Sequence, residues 1–291
     1  MRQQALGHGL VAQSQRALAP FALFRPESLD ELRQVLAEHP RATLVAGSTD
    51  VFARIREGLA PRVVVGLRRL PELRRVEQAA GELRLGATVT HHEGSTSPVV
   101  RGAIPALAAA WAAIATVRIR RSATLGGNLM AGQFRYELPV IFGALDAQMD
   151  FLDGGALEVR RLWDAGLAVP GCLVSVMVPT ANLAWFGYDR TLRPLTTLAV
   201  AVRRAAGGLH VSATVGSELS RPLTLAIERP VTKLAALVGL GPEVAAGLPE
   251  EIADYSGSAD YRRHVAGVQI DRLLTRAAGS AFDGDETGAA R

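Results

Sequence analysis

Apolar residues along the chain switch between helical, continuous and alternating patterns, and the switches mark its elements. Ser28 precedes Glu31 at capping-box spacing, and Leu32, Val35 and Leu36 then recur on one helical face, predicting a helix that stops near His39-Pro40. ATLVAG (42–47) is a continuous apolar run, read as a buried strand, and it passes through Gly47-Ser48-Thr49-Asp50 into helical spacing at Val51, Phe52 and Ile55. RVVVGL (62–67) reads as a strand and GELRLGATVT (81–90) alternates like a hairpin arm. GAIPALAAAWAAI (102–114) reads as one Ala-rich helix, and VRIRRSATLGGNL alternates as a strand would into Gly126-Gly127-Asn128. LPVIFGALDAQMDFL predicts a short helix and a strand.

Near Pro179 the texture becomes that of antiparallel strands. Leu198, Val200 and Val202 share one face, Gly207-Gly208 supplies a turn, and LHVSATV returns. Helical segments follow Pro222 and end in a run with Val265, Val268 and Leu273 at helical spacing. A domain boundary is expected at 179–183, and a flexible tail at 280–291.

Two junctions bear on chemistry. The strand–turn–helix around Gly47-Ser48-Thr49-Asp50 is a geometry that points free backbone N–H groups at an anion. Taken alone, an ordinary N-cap by Ser48, Thr49 or Asp50 explains it better. Gly126-Gly127 is either a plain turn or a place where a ligand comes close to the backbone. His91-His92 diverge from one another, so they do not chelate as HExxH does, and they are read as a solvated helix start.

Composition narrows the class. Of 291 residues, 48% are hydrophobic and 21% charged, and no apolar run is long enough to span a bilayer, so no membrane insertion is expected. The first residues lack the apolar core of a secretory signal, and the single cysteine, Cys172, excludes an internal disulfide or an all-cysteine metal cluster. A cytoplasmic protein is expected. The pI is about 9.8, but the arginine pairs are scattered beside acidic residues and strand patterns, without the one-faced charge and stacking aromatics of nucleic-acid binders. No Gly-x-Gly-x-x-Gly stands at the expected strand–helix junction.

AGSTD (46–50) and TLGGN (124–128), with FRPESLDEL, LRLGATVTHHE and DYRRHVAGVQIDRLL around them, resemble the FAD-binding subunits of the molybdenum hydroxylases, among them the flavin subunits of xanthine dehydrogenase and aerobic carbon monoxide dehydrogenase. The likeness runs from about Phe24 to about Ala278. It implies an α+β fold: a two-subdomain FAD-binding domain over 18–179 (PCMH-type, vanillyl-alcohol-oxidase-like, split near 56–60), then a smaller C-terminal α+β domain over 182–279, antiparallel strands plus helices. It implies FAD held by Ala46, Gly47, Ser48, Thr49 and Asp50 on one side. Thr124, Leu125, Gly126, Gly127 and Asn128 close from the other, the glycines permitting positive φ and removing a Cβ that would block a phosphate. The function implied is electron transfer beside an iron–sulfur subunit and a molybdopterin-binding large subunit, with NAD, oxygen, quinone or ferredoxin open as acceptor. No acid–base residue is implied.

Two departures stand out. Ser48 replaces a glycine common in the family's first loop. AGQFRYELP (131–139) replaces a polar, proline-containing segment with an aspartate near the flavin, and Glu137 falls close to that aspartate's place. Trp185, Phe186 and Tyr188 fall where relatives place side chains near the flavin ring, though strand packing accounts for them equally. A flavin-free scaffold of the same fold and a stand-alone flavoprotein oxidase are the rival readings.

Overall fold

The computed structural model describes residues 19–164, 171–191, 196–255 and 257–285. Three sheets follow one another along the chain. The first is parallel, in the order β1-β3-β2, from Ala22–Phe24 (β1), Thr43–Val45 (β2) and Val63–Gly66 (β3). Its crossovers are the helices Leu29–Glu38 (α1) and Val51–Arg56 (α2). Ser28 caps α1 by accepting from the Glu31 N–H, while the Glu31 carboxylate reaches the N–H of Glu27 rather than that of Ser28, so the expected box is half formed. Leu32 and Val35 bury against Val65 and Leu67. The chain leaves this sheet after Gly66, later than the 56–60 split the resemblance implies.

The second sheet is antiparallel, β4-β5-β8-β6-β7, built from Val76–Ala79, Glu82–Gly86, Gln148–Phe151, Ala156–Glu158 and Leu173–Pro179 (β4 to β8 in chain order). Between β5 and β6 lie short helices: His91–Thr96 (α3), Pro98–Ala103 (α4), Pro105–Ala113 (α5), Val117–Arg120 (α6), Leu125–Met130 (α7) and Leu138–Ala144 (α8). The single helix expected over 102–114 is interrupted, because Pro105 lacks an N–H and restarts the helix after Ile104. The strand expected before Gly126 is instead α6 followed by one isolated bridge, Thr90 to Thr124. Its alternation came from arginines flanking Val117 and Ile119, which are exposed rather than core.

The third sheet, β12-β11-β10-β9, comprises Leu183–Arg190 (β9), Thr197–Ala205 (β10), Gly208–Gly216 (β11) and Leu223–Arg229 (β12). Period two divides β10 between two cores. Leu198, Val200 and Val202 pack with the helices Gly241–Ala246 (α9) and Ala259–Asp285 (α10), whereas Ala199 and Ala201 join the central core around Trp111 and Phe142. Arg262 of α10 is buried, bonding to Thr196 and Asp254, which accounts for one arginine of DYRRHV. The helix runs on to Asp285, into the stretch expected as tail; the end of that stretch, 286–291, lies outside the described residues.

The third sheet is fastened to the second by Arg203. Its guanidinium donates to the carbonyls of Leu145 (2.8 Å) and Pro179 (2.9 Å) and pairs with Asp146 (3.2 Å). Arg203→Met keeps the aliphatic stem and strands these acceptors. We expect it to lower stability by ~2–4 kcal/mol, measured by urea unfolding; a change below the error of the fit would show that Arg203 does not hold the sheets together.

Candidate functional site

A cavity of about 700 Å³ opens where the first sheet, the short helices and the end of β9 meet, a size usual for small-molecule sites. Ala46, Gly47, Ser48, Thr49 and Asp50 line it, as do Thr124, Gly127, Asn128 and Glu137. Leu125 and Gly126 do not: Leu125 is fully buried in the central core, and Gly126 packs on Ala87. The two expected loops therefore converge, although the second is the first turn of a helix rather than a loop. Thr124 caps α7, its Oγ1 accepting from the Gly127 N–H at 3.1 Å.

The glycines work differently from the expectation. None of Gly47, Gly126 and Gly127 has positive φ; the left-handed residue is Ser48, at φ 65°. A Cβ on Gly47 would fall 2.0 Å from the Ser122 carbonyl oxygen, and one on Gly126 2.9 Å from that of Ala87. These two glycines let backbone pack on backbone, bringing the segments together. Gly127, which lines the cavity as Gly47 does, has no backbone neighbour in that position, its missing Cβ meeting nothing but Thr124 Oγ1 at 2.9 Å.

The 131–139 segment forms a further wall. Tyr136 Oη donates to Asp50 Oδ1 at 3.1 Å, tying this segment to the first loop. Burial, then the Asp50 carboxylate, raises the Tyr136 pKa, so the phenol stays protonated and donates. Glu137 is buried, and its Oε1 accepts from Tyr188 Oη (2.6 Å) and Arg190 Nη1 (3.0 Å). Tyr188 thus reaches the site only through Glu137, while Phe186 and Trp185 pack into the central and C-terminal cores. Arg54, Arg135, Arg190 and His91 also line the cavity and were not anticipated. The aromatic and basic character of the 131–139 segment was a signal for Tyr136 and Arg135; nothing local marks Arg190.

Residues 19–162 match the family described as the FAD binding domain in molybdopterin dehydrogenase. The match takes in just under half of the chain and is to the FAD-binding domain alone. The chain as a whole is 28% identical to the nicotine 6-hydroxylase medium subunit of Paenarthrobacter nicotinovorans, covering 87% of this chain and 95% of that one. It is 36% identical to the xanthine dehydrogenase FAD-binding subunit of Escherichia coli O157:H7 over 110 residues, 37% of this chain and 38% of that one. Quinoline 2-oxidoreductase from Pseudomonas putida 86 superposes with a TM-score of 0.76 at 26% identity, over 91% of this chain and 99% of the matched one. The carbon monoxide dehydrogenase chain from Hydrogenophaga pseudoflava shares the fold, with a TM-score of 0.75 at 22% identity over the same shares.

The FAD-binding domain has a donor and acceptor set that suits the cofactor. Asn128 lines the cavity, and its buried Oδ1 has no hydrogen-bond partner among the described residues, which leaves an acceptor for a hydroxyl or amine such as the sugar and ring portions of FAD offer. Arg54, Arg135 and Arg190 outnumber Asp50 and Glu137 along the wall, which favours an anion. Among the described residues no group of His, Cys, Asp and Glu is arranged to hold a metal, and no helix is long and apolar enough to cross a membrane. Cys172 is buried, and its pKa is pushed up to about 11 by burial and then by Asp153, which leaves an unreactive thiol.

His91 is not the solvated residue expected of it. It is buried, its Nδ1 accepts from Trp111 Nε1 at 3.0 Å, and its pKa is lowered to about 4, first by burial and then by the Arg120 charge. The indole reaches it because residue 94 is glycine; a Cβ there would lie 2.3 Å from the Trp111 ring. His92 carries the exposed face instead.

Two outcomes follow from these positions. Ser48→Gly relieves the left-handed strain and should raise stability by up to ~1 kcal/mol in urea unfolding; a loss would mean that Ser48 is not strained. A histidine whose pKa falls on folding contributes stability that is complete above its unfolded value near 6.5 and lost as pH drops toward 4. We expect ~3 kcal/mol of pH-dependent stability in that window, reduced in His91→Phe. An equal slope in wild type and variant would place its origin elsewhere.

Proposed function

We propose that this chain is the FAD-carrying electron-transfer subunit of a molybdenum hydroxylase-type complex, accepting electrons from an iron–sulfur subunit and passing them to an external acceptor. The observation that carries this reading is the convergence of residues 46–50 with Thr124, Gly127 and Asn128 on one cavity, all within the segment that matches the FAD-binding family. When bound, FAD supplies the exchange of one or two electrons. The chain's residues hold and shield it. Thr49 and the Thr124 hydroxyl are placed to donate to phosphate oxygens, and Asn128 to bond a hydroxyl or ring group. Asp50 and Tyr136 close one side of the cavity through their hydrogen bond. The relatives named as medium subunit and medium chain support a place beside other subunits in a larger complex. Ile119 and Met130 line the cavity yet are 41% and 36% exposed, an apolar rim suited to a docking partner.

In the flavin-free alternative the 132–137 segment excludes the cofactor. That segment instead walls a cavity of about 700 Å³, which supports FAD binding over a bare scaffold. Purified full-length protein should be yellow, with flavin absorbance near about 450 nm and one FAD per chain, and should co-purify with an iron–sulfur and a molybdenum chain. Gly47→Val drives a side chain into the Ser122 backbone and should abolish flavin retention. Colourless wild-type protein that takes up no added FAD would overturn the reading.

A further inference from the structure

His91 is a buried polar residue on the cavity wall whose chemistry neither the two loop motifs nor the cap of α3 uses. Its backbone N–H donates to the Ala123 carbonyl at 3.0 Å, so the residue is tied to the segment that leads into Thr124. The Trp111 indole donates to Nδ1. An indole N–H is only a donor, so Nδ1 must present its lone pair and the ring proton must sit on Nε2. No acceptor for Nε2 is found in the described residues. His91 shares the cavity wall with Ala123, Thr124 and Gly127. A neutral imidazole in this tautomer offers the cavity a donor and no acceptor, so its complement is an acceptor on the ligand. Arg120 is held by bonds to the carbonyls of Ile114 (3.0 Å) and Ala115 (2.8 Å), two residues that line the cavity, and its charge is felt at His91. A positive field beside a lone donor favours an anionic oxygen.

We infer that His91, its tautomer set by Trp111, is a hydrogen-bond donor to a phosphate oxygen of the bound dinucleotide, with Trp111 as its positioning residue. The inference rests on the reading that the cavity holds FAD. Held neutral by burial, the imidazole donates through Nε2 without carrying a charge of its own. Gly94 is part of the same device, since it leaves room for the indole to reach the imidazole.

The test uses full-length protein stripped of flavin and titrated with FAD. His91→Phe should raise the Kd about tenfold or more and shift a phosphorus NMR resonance of bound FAD, while His91→Gln, which restores an N–H, recovers part of the loss. Trp111→Phe should weaken binding and make it pH-dependent between about pH 5.5 and 8, where wild type is flat. Wild-type protein labelled at the histidine ring nitrogens needs no variant to fold: we expect one Nε2–H tautomer for His91 whose proton resonance moves on FAD addition. An Nδ1–H tautomer, or a His91 resonance and phosphorus spectrum that ignore FAD binding and the substitution, would overturn the inference while leaving FAD binding intact. Failure of wild type to take up FAD at all would instead overturn the functional reading beneath it.

Discussion

The backbone of Gly47 rests on the backbone of Ser122 with no room for a methyl group, since a Cβ would stand 2.0 Å from the carbonyl oxygen. That contact brings the turn after β2, a product of the parallel sheet, against the segment leading to α7, a product of the antiparallel sheet. Gly126 repeats the device one layer down, seating the start of α7 on Ala87 just beyond β5. The cavity is the space left when these backbones meet, and Gly127 leaves its wall low where the ligand must approach. The site therefore depends on glycine as a packing residue more than as a flexible one.

The C-terminal sheet completes the site from a third direction. Arg190 at the end of β9 and Tyr188 within it converge on Glu137, which stands at the start of α8. Arg203 holds the other end of that sheet against Leu145 and Asp146 at the end of α8. One short helix is thus gripped at both ends by the same sheet, and the cavity wall it supports inherits that rigidity. Asp50 and Tyr136 add a side-chain link between the first loop and the 131–139 segment.

Much of this arrangement was legible in the residues where the determinants are local. The strand–turn–helix of 43–56 follows from an apolar run, small polar residues and helical spacing within one stretch. The two-sided burial of β10 follows from alternation between branched residues and alanine. Illegible features were those decided at a distance. Serine at position 48 gives no sign of a left-handed backbone, which the crossing into α2 imposes. His91 looks solvated beside His92, and it is buried only because Trp111 arrives over Gly94. The break at Pro105 was readable, since proline removes a helical N–H wherever it falls; the alanine-rich context outweighed it. The arginines of 118–121 imitated strand alternation, and only the exposure of Val117 and Ile119 distinguishes the short helix that forms.

The central claim is that residues distant in sequence form one FAD cradle. Hydrogen–deuterium exchange on the full chain, with and without added FAD, tests it most directly. The account predicts that FAD slows exchange together in 46–50, 122–130 and 131–137, and leaves the outer part of α10 unchanged. Protection confined to one of these segments, or centred on the C-terminal helices, would contradict it.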